Sequence, residues 1–152
     1  MQELHLSGNH LSGKIPVDIS NYSALEAIDL NKNKLSNSII TEIRNCVNLT
    51  YIDLIQNEFF GPIPVEISKM NAMYYLNISR NQFSGTISLE ISRLGRLEEI
   101  DFSGNKFSGS IPWEIGNCTE LEYIDLSHNE FKGHIPMEIY NMIYLINTFG
   151  IY

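Results

Sequence analysis

The chain has 152 residues, of which 43% are apolar and 18% charged, and its formal net charge at pH 7 is −8. This composition is typical of a globular domain and excludes a collagen-like or disordered chain. Nucleic-acid binding needs a basic surface, and the chain has no cluster of lysine and arginine. The charge therefore argues against nucleic acid as a partner.

An internal repeat of 24 residues runs through the chain and determines its predicted fold. It is marked by a column of asparagines: Asn9, Asn33, Asn57, Asn81, Asn105 and Asn129. An apolar residue follows each asparagine by two positions, and isoleucines follow it by six and by ten positions. The absence of any insertion predicts a single domain over 1–152, built from repeats 1–24, 25–48, 49–72, 73–96, 97–120 and 121–144 and a partial seventh repeat, 145–152.

Each repeat predicts a short strand, then a turn, then a short helix. The strand is indicated by alternating apolar residues, as at Ile124 and Leu126, because a period of two buries one face. A glycine supplies the turn, and a proline then precedes an acid by two positions, as in Pro112 and Glu114. Proline and acid suit the first turn of a helix, where the acid meets the positive end of the helix dipole. An acidic docking strip is the alternative role for this column of acids.

A single repeat cannot bury its apolar face alone, so neighbouring repeats must stack. Stacking places the strands about 4.8 Å apart in a parallel sheet and the helical turns on the opposite, wider side. The predicted fold is therefore α/β. It is a right-handed solenoid with a concave parallel β-sheet and short 3-10 or α-helical turns on the convex side.

The asparagine column is interpreted as a structural ladder. Buried polar groups need hydrogen-bond partners, and an asparagine amide offers both donors and an acceptor. Each side chain is therefore expected to bond backbone groups of its own repeat and of the adjacent one.

The residues that could carry chemistry do not form a catalytic or metal-binding pattern. Cys46 and Cys118 occupy the same column three repeats apart, on the order of 14 Å, which is too far for a disulfide. They are therefore expected to be small core residues. The histidines show no metal-ligand spacing, and no phosphate-loop motif is present. We expect no enzymatic activity, no metal and no cofactor.

Variable strand positions on the concave side form the candidate ligand face. It comprises Glu26, Asp29, Tyr51, Asp53, Tyr75, Asn77, Glu99, Asp101, Tyr123 and Asp125. Acids beside tyrosines suit a basic, partly apolar peptide, because tyrosine supplies contact area and the acids select positive charge. The aspartate column has an alternative role as part of the scaffold.

Four Asn-x-Ser/Thr sequences are candidate N-glycosylation sites of a secreted protein. They begin at Asn21, Asn48, Asn77 and Asn117. Three of them are expected on the helical side or its edge. Asn77 is expected among the concave strands, where a glycan would block the centre of the face.

Two segments carry a resemblance to a known family. The sequence from Asn105 to Pro112, Asn-Lys-Phe-Ser-Gly-Ser-Ile-Pro, resembles the plant-specific leucine-rich repeat, and the resemblance covers the whole chain. The sequence from Leu121 to Asn129 is similar to the extracellular part of plant receptor-like kinases. The resemblance implies a fragment of the ectodomain of a leucine-rich repeat receptor-like kinase or receptor-like protein. It implies a peptide or protein ligand, a co-receptor ectodomain as a further partner, and a place at the extracellular face of the plasma membrane or in secretion.

The ends of the chain depart from the family pattern. Family ectodomains have a cysteine-paired cap at each end, and neither is present here. The chain as given also shows no signal peptide and no apolar run that reads as a membrane span, so no membrane contact by this segment is expected. Two alternatives remain open at this point. One is a secreted inhibitor-type leucine-rich repeat defence protein, and the other is a truncated gene product without stable function. A kinase domain would lie elsewhere in the parent gene.

Overall fold

A computed structural model describes residues 1–38, 43 and 45–141. Glu42 of the acid column and the partial seventh repeat lie outside the described residues. The described strands are β1 Glu3–His5, β2 Ser12–Gly13, β3 Ala27–Asp29, β4 Lys34–Asn37, β5 Tyr51–Asp53, β6 Glu58–Gly61, β7 Tyr75–Asn77, β8 Gln82–Gly85, β9 Glu99–Asp101, β10 Lys106–Gly109, β11 Tyr123–Asp125 and β12 Glu130–Phe131. The described helices are 3-10 segments at Val17–Asn21, Val65–Lys69, Leu89–Arg93, Trp113–Asn117 and Met137–Asn141.

The first sheet contains one strand from each repeat in the order β1-β3-β5-β7-β9-β11, and all neighbouring pairs are parallel. Its register joins residues that are 24 positions apart, as in the pairing of Tyr51 with Tyr75 and of Tyr75 with Glu99. The predicted parallel sheet of stacked repeats is confirmed. Equivalent side chains consequently lie beside one another in columns across the sheet.

A second sheet was missed by the sequence analysis, which placed only a turn after each asparagine. Its strands run in the order β12-β10-β8-β6-β4-β2 and are also parallel. β8 has four residues and only Phe83 is buried, so its sequence does not show the alternation of apolar and polar residues that indicates a strand. These four residues form a strand because they pair with the neighbouring repeats, and their own sequence does not predict that pairing.

The core lies between the first sheet and the helices and is filled by the repeated apolar columns. Phenylalanines two positions after the ladder asparagines form a stack. The ring centroids of Phe83 and Phe107 are 6.3 Å apart with an interplanar angle of 2°. Phe59 and Phe131 extend the stack, with ring centroids 6.2 Å from Phe83 and 6.3 Å from Phe107, respectively. Truncating one buried phenylalanine to alanine costs about 3–5 kcal/mol in general, so this stack is a major source of cohesion between repeats.

The prolines stand one position earlier than the first helical turn to which the sequence analysis assigned them. Pro16, Pro64 and Pro112 precede their helices with extended backbone, at ψ angles of 135°, 147° and 133°. The acid is then the second residue of the helix, near the positive end of its dipole. In the fourth repeat Ser88 replaces proline, and its hydroxyl accepts a hydrogen bond from the Glu90 amide at 3.5 Å.

Both cysteines are unpaired and fully buried, as predicted. The Cys46 thiol donates to the Ile19 carbonyl at 3.5 Å, and the Cys118 thiol donates to the Ile91 carbonyl at 3.6 Å. Burial raises the pKa of Cys118 to about 11. The thiols therefore stay protonated at neutral pH and act as core residues that link adjacent repeats.

Candidate functional site

The solvent-facing side chains of the first sheet form the candidate site, which we call the strand face. One column runs through Glu3, Ala27, Tyr51, Tyr75, Glu99 and Tyr123, and the next runs through His5, Asp29, Asp53, Asn77, Asp101 and Asp125. Strand register thus brings the predicted acids and tyrosines onto one surface. Glu26 lies one position before β3, is exposed, and accepts a hydrogen bond from Gln2 at 3.2 Å.

Two tyrosines form a stacked platform at the middle of the strand face. The Tyr51 and Tyr75 rings have centroids 4.4 Å apart and an interplanar angle of 8°. Tyr74 adds a tilted ring whose centroid is 6.3 Å from that of Tyr51. Parallel strands about 4.8 Å apart impose this stacking on equivalent positions. Tyr51 and Tyr75 belong to the predicted ligand face. Tyr74 was not included in it, although it lies directly before β7 in the same repeat position as Glu26 and is 42% exposed.

The aspartate column is bonded within the scaffold. Asp101 Oδ1 accepts hydrogen bonds from the Ser103 amide at 2.9 Å and from its hydroxyl at 2.7 Å. Asp125 Oδ1 accepts from the Ser127 amide at 2.8 Å. Asp53 does the same for the amide two residues later, at 3.0 Å. These bonds hold the backbone where each strand ends, which supports the scaffold role for this column.

Amide side chains separate the carboxylates of neighbouring repeats. Asn31 Nδ2 donates to Asp29 Oδ1 at 2.8 Å and to Asp53 Oδ2 at 3.0 Å. Asn77 Nδ2 donates to Asp101 Oδ2 at 3.2 Å. Burial raises the pKa of Asp53 more than the hydrogen bonds from Ile55 and Asn31 lower it. The network keeps these acids paired with donors of the protein itself.

Glu99 differs from the aspartates because no hydrogen bond or ion pair engages its carboxylate among the described residues. Register places it between Tyr75 and Tyr123 on the neighbouring strands. Burial, together with the negative charges of Asp101 and Asp53, raises the pKa of Glu99. Burial is also the main cause of the raised pKa of Tyr123. The strand face therefore presents a partly buried, unpaired acid between two phenol rings.

The basic group at the edge of the strand face is a histidine. His5 Nε2 lies 3.1 Å from Glu3 Oε2, and His5 Nδ1 lies 3.9 Å from Asp29 Oδ2. The columns through β5, β7, β9 and β11 contain no lysine or arginine. The middle of the face therefore lacks a positive charge of its own.

The asparagine column bonds the backbone of adjacent repeats. Asn81 Oδ1 accepts from the Phe59 amide at 3.1 Å, and Asn81 Nδ2 donates to the Leu54 carbonyl at 2.8 Å. The same nitrogen donates to the Ile78 carbonyl at 3.1 Å. Equivalent bonds are made by Asn33, Asn57, Asn105 and Asn129. One side chain thus reaches two repeats, which is a structural role.

The four glycosylation candidates lie in different surroundings. Asn21 and Asn117 are exposed at the ends of their helices, in the same repeat position. Asn48 is exposed, and its Nδ2 donates to the Ser23 carbonyl at 2.7 Å. Asn77 is 4% exposed, and its Oδ1 accepts from the Ser79 amide and hydroxyl. The structure therefore separates three accessible asparagines from one that is enclosed within the strand face.

Comparison with known families identifies the repeat. The sequence profile described as Leucine Rich Repeat matches residues 1–22, 24–46, 73–94, 96–118 and 120–142, which is more than half of the chain. The chain belongs to the leucine-rich repeat family. The third leucine-rich repeat, 49–72, is not matched by the profile, yet it contributes β5, β6 and a helix in the same order.

Solved structures similar to this leucine-rich repeat chain include plant receptor ectodomains. That of the membrane receptor kinase GASSHO1/SCHENGEN3 from Arabidopsis thaliana, in complex with CASPARIAN STRIP INTEGRITY FACTOR 2, is 36% identical with a TM-score of 0.92, over 95% of this chain and 17% of that one. The plant peptide hormone receptor RGFR1 in complex with RGF2 is 35% identical with a TM-score of 0.93, and the match covers 95% of the present chain and 23% of the receptor chain. The Arabidopsis receptor kinase HAESA, in complex with the peptide hormone IDA and the co-receptor SERK1, is 36% identical with a TM-score of 0.92, over 96% and 24%.

The present chain thus spans about a quarter or less of these receptor chains. A search of curated proteins found no match. Within the described ranges, no helix is long and apolar enough to cross a membrane. In the same part of the chain, no group of three or more His, Cys, Asp and Glu side chains is arranged to hold a metal ion.

Proposed function

We propose that this chain is a non-catalytic peptide-binding scaffold and part of the extracellular ligand-recognition region of a plant receptor-like kinase. The strand face would bind the ligand. Two of the similar structures, RGFR1 with RGF2 and HAESA with IDA, are peptide-hormone receptors with their ligands, which supports a peptide as the ligand class. The presence of SERK1 in the HAESA complex supports a co-receptor ectodomain as a further partner.

The observation that carries the proposal is the position of Glu99. Its carboxylate is unpaired among the described residues, partly buried, and placed between Tyr75 and Tyr123. An arginine or lysine of a ligand would compensate this charge and lie against the phenol rings. The stacked pair of Tyr51 and Tyr75 offers a rigid surface to an apolar neighbour in the same peptide.

A charge-neutral variant at this position tests the proposal. The probe is a fluorescein-labelled octapeptide of alternating leucine and arginine, and fluorescence polarisation measures its affinity. We expect Glu99→Gln to bind the probe roughly tenfold more weakly than the wild type, because one partly buried charge pair is lost. The matched control is Glu58→Gln, which removes an exposed acid from β6 of the second sheet. Equal affinity of both variants would contradict the proposal, because it would show that Glu99 takes no part in binding the probe.

The pH dependence of probe binding follows from the raised pKa of Glu99. The ionised carboxylate attracts arginine, whereas the protonated carboxyl does not. Because the pKa is raised, protonation begins at a higher pH than for an ordinary glutamate, and affinity falls as the pH moves from neutral to mildly acidic. The same titration on Glu99→Gln should show a smaller fall.

An extracellular location also implies glycans, and we propose that Asn21 and Asn117 carry them. Both are exposed at helix ends, away from the strand face, so glycans there leave the ligand surface open. Asn77 is enclosed by bonds to Ser79 and Asp101, and we expect it to be unmodified in folded protein. Glycopeptide mapping of protein secreted from plant cells checks this assignment. Unmodified Asn21 and Asn117 would count against secretion through the glycosylating pathway.

A further inference from the structure

The helical side carries a row of exposed apolar side chains that the strand-face proposal does not use. Each is the first residue of a helix and occupies the same repeat position: Val17, Val65, Leu89, Trp113 and Met137. Their exposed fractions range from 52% to 78%. The second repeat has Thr41 at this position, so the apolar residues follow one another without a break only from the third to the sixth repeat. Single exposed apolar residues are ordinary, but such a run in successive repeats marks an interaction surface. The helix beginning at Leu89 packs against the one beginning at Trp113, so these two members of the row are neighbours.

A groove of about 580 Å³ lies beside this row in the last three complete repeats. Leu89, Ile111 and Trp113 supply much of its apolar wall. The charged side chains that line it are Glu114 and Glu138, and both are acidic. Within the described part of the chain, neither carboxylate takes part in a hydrogen bond or an ion pair. We call this feature the Trp113 groove.

A neighbouring groove shows that this charge pattern is local. That groove, of about 490 Å³, lies between the helices of the third and fourth repeats. Its lining contains Glu66 and Glu90 but also Lys69 and Arg93, so its charges balance. The Trp113 groove has the same kind of acids without the bases. It therefore has an uncompensated negative charge beside an exposed aromatic ring.

We propose that the Trp113 groove is a second docking surface, for an apolar segment of a protein partner that carries arginine or lysine. The cation would lie on the indole face of Trp113, within reach of Glu114 and Glu138. Apolar side chains of the same segment would cover Leu89 and Ile111. A large, rigid aromatic residue in an interface is also the type of residue that carries most of the binding energy.

Charge complementarity selects this partner over a second copy of the chain. In a symmetric dimer through the row, the column of acids beside it would approach its own copy, and like charges repel. The net charge of −8 adds to that repulsion. A basic partner would instead be attracted both by the column of acids and by the negative net charge of the chain.

The chain contains a single tryptophan, so tryptophan emission that is excited selectively over the eight tyrosines reports on this groove alone. We expect the leucine–arginine octapeptide to shift the Trp113 emission to shorter wavelength in a saturable manner, because the peptide removes water from the indole ring. The double variant Glu114→Gln and Glu138→Gln should bind roughly tenfold more weakly by the same readout. Leu89→Ser should also weaken the shift, whereas Glu58→Gln, which removes an exposed acid outside both surfaces, should leave it unchanged. Thermal unfolding of each variant checks that it remains folded.

Three results would overturn the proposal. The first is an equal shift with an octapeptide in which aspartate replaces arginine, since this would show that charge plays no part. The second is a shift that grows with protein concentration in the absence of peptide, which would identify a second copy as the occupant. The third is no shift while fluorescence polarisation still reports binding that Glu99→Gln weakens. That pattern would confine binding to the strand face and leave the peptide-binding proposal intact.

Discussion

The first and fourth repeats have the same sequence pattern but differ in how well their residues are enclosed. Leu11 of the first repeat is 39% exposed, whereas Phe83 at the equivalent position of the fourth repeat is 1% exposed. Phe83 stacks between phenylalanines of both neighbouring repeats. An apolar residue at this repeat position is therefore buried only when a repeat packs against it on each side.

The ladder asparagines show the same difference in hydrogen bonds. Asn9 donates to the carbonyls of Leu6 and Ser7, which belong to its own repeat. Asn81 bonds its own repeat and also the preceding one, through Leu54 and Phe59. An identical residue is therefore an exposed turn residue in one place and a buried link in the other.

The largest expected difference in stability is between two single variants, in which either Asn81 or Asn9 is replaced with leucine. Asn81→Leu leaves the buried Phe59 amide without an acceptor and removes a donor from the carbonyls that Asn81 engages, so we expect a loss of about 3 kcal/mol. Asn9→Leu removes exposed bonds only and should cost about 0.5 kcal/mol or less. Urea unfolding followed by circular dichroism measures both free energies of unfolding.

Asn81→Asp separates hydrogen bonding from packing in this pair. The carboxylate can still accept from Phe59 but cannot donate to Leu54, and a buried charge is costly. It should therefore destabilise at least as much as leucine. Equal stability of Asn81→Leu and Asn9→Leu would show that the ladder does not link the repeats energetically.

A smaller difference is expected at the glycine turns. Gly13 and Gly109 have φ angles of 79° and 80°, so alanine is strained at both, by about 1–2 kcal/mol. A Cβ at Gly109 would lie 2.9 Å from Thr86 Cγ2, whereas a Cβ at Gly13 meets nothing within 4 Å. We therefore expect Gly109→Ala to cost roughly 1 kcal/mol more than Gly13→Ala in urea unfolding.

Gly109→Ala combined with Thr86→Ser tests the origin of this extra cost. Serine lacks the methyl group that the new Cβ would approach, so the difference between the two glycine sites should shrink. A difference that persists would place its cause in the backbone rather than in the contact with Thr86. The structure already holds one non-glycine residue in this conformation, because Asn37 takes a φ angle of 98° at the equivalent position.

Much of the architecture was predictable because each repeat position has a fixed chemical character. The period of 24 residues assigned Ile124 and Asn81 to buried columns before any contact was known. It could not reveal the second sheet, whose strands contain at most one buried residue each and depend on pairing with the next repeat. It also could not show that the residue before a ladder asparagine turns left-handed, as Arg80 does at a φ angle of 54°. Glycine occupies that position only at Gly8 and Gly104, and the other four repeats have ordinary side chains there without a local signature.

The candidate surfaces divide in the same way. The spacing of the repeat by itself determined that Tyr51, Tyr75 and Glu99 share a column, because parallel register at a constant period leaves no other arrangement. Only the tertiary structure decided which of the neighbouring acids accepts hydrogen bonds from other side chains and backbone groups. Asp101 is held by Ser103 and Asn77, whereas Glu99 is left without a partner among the described residues. The Trp113 groove likewise exists only between repeats. Hydrogen bonding, burial and groove shape depend on side chains that are far apart in the chain, and a pattern within one repeat does not contain that information.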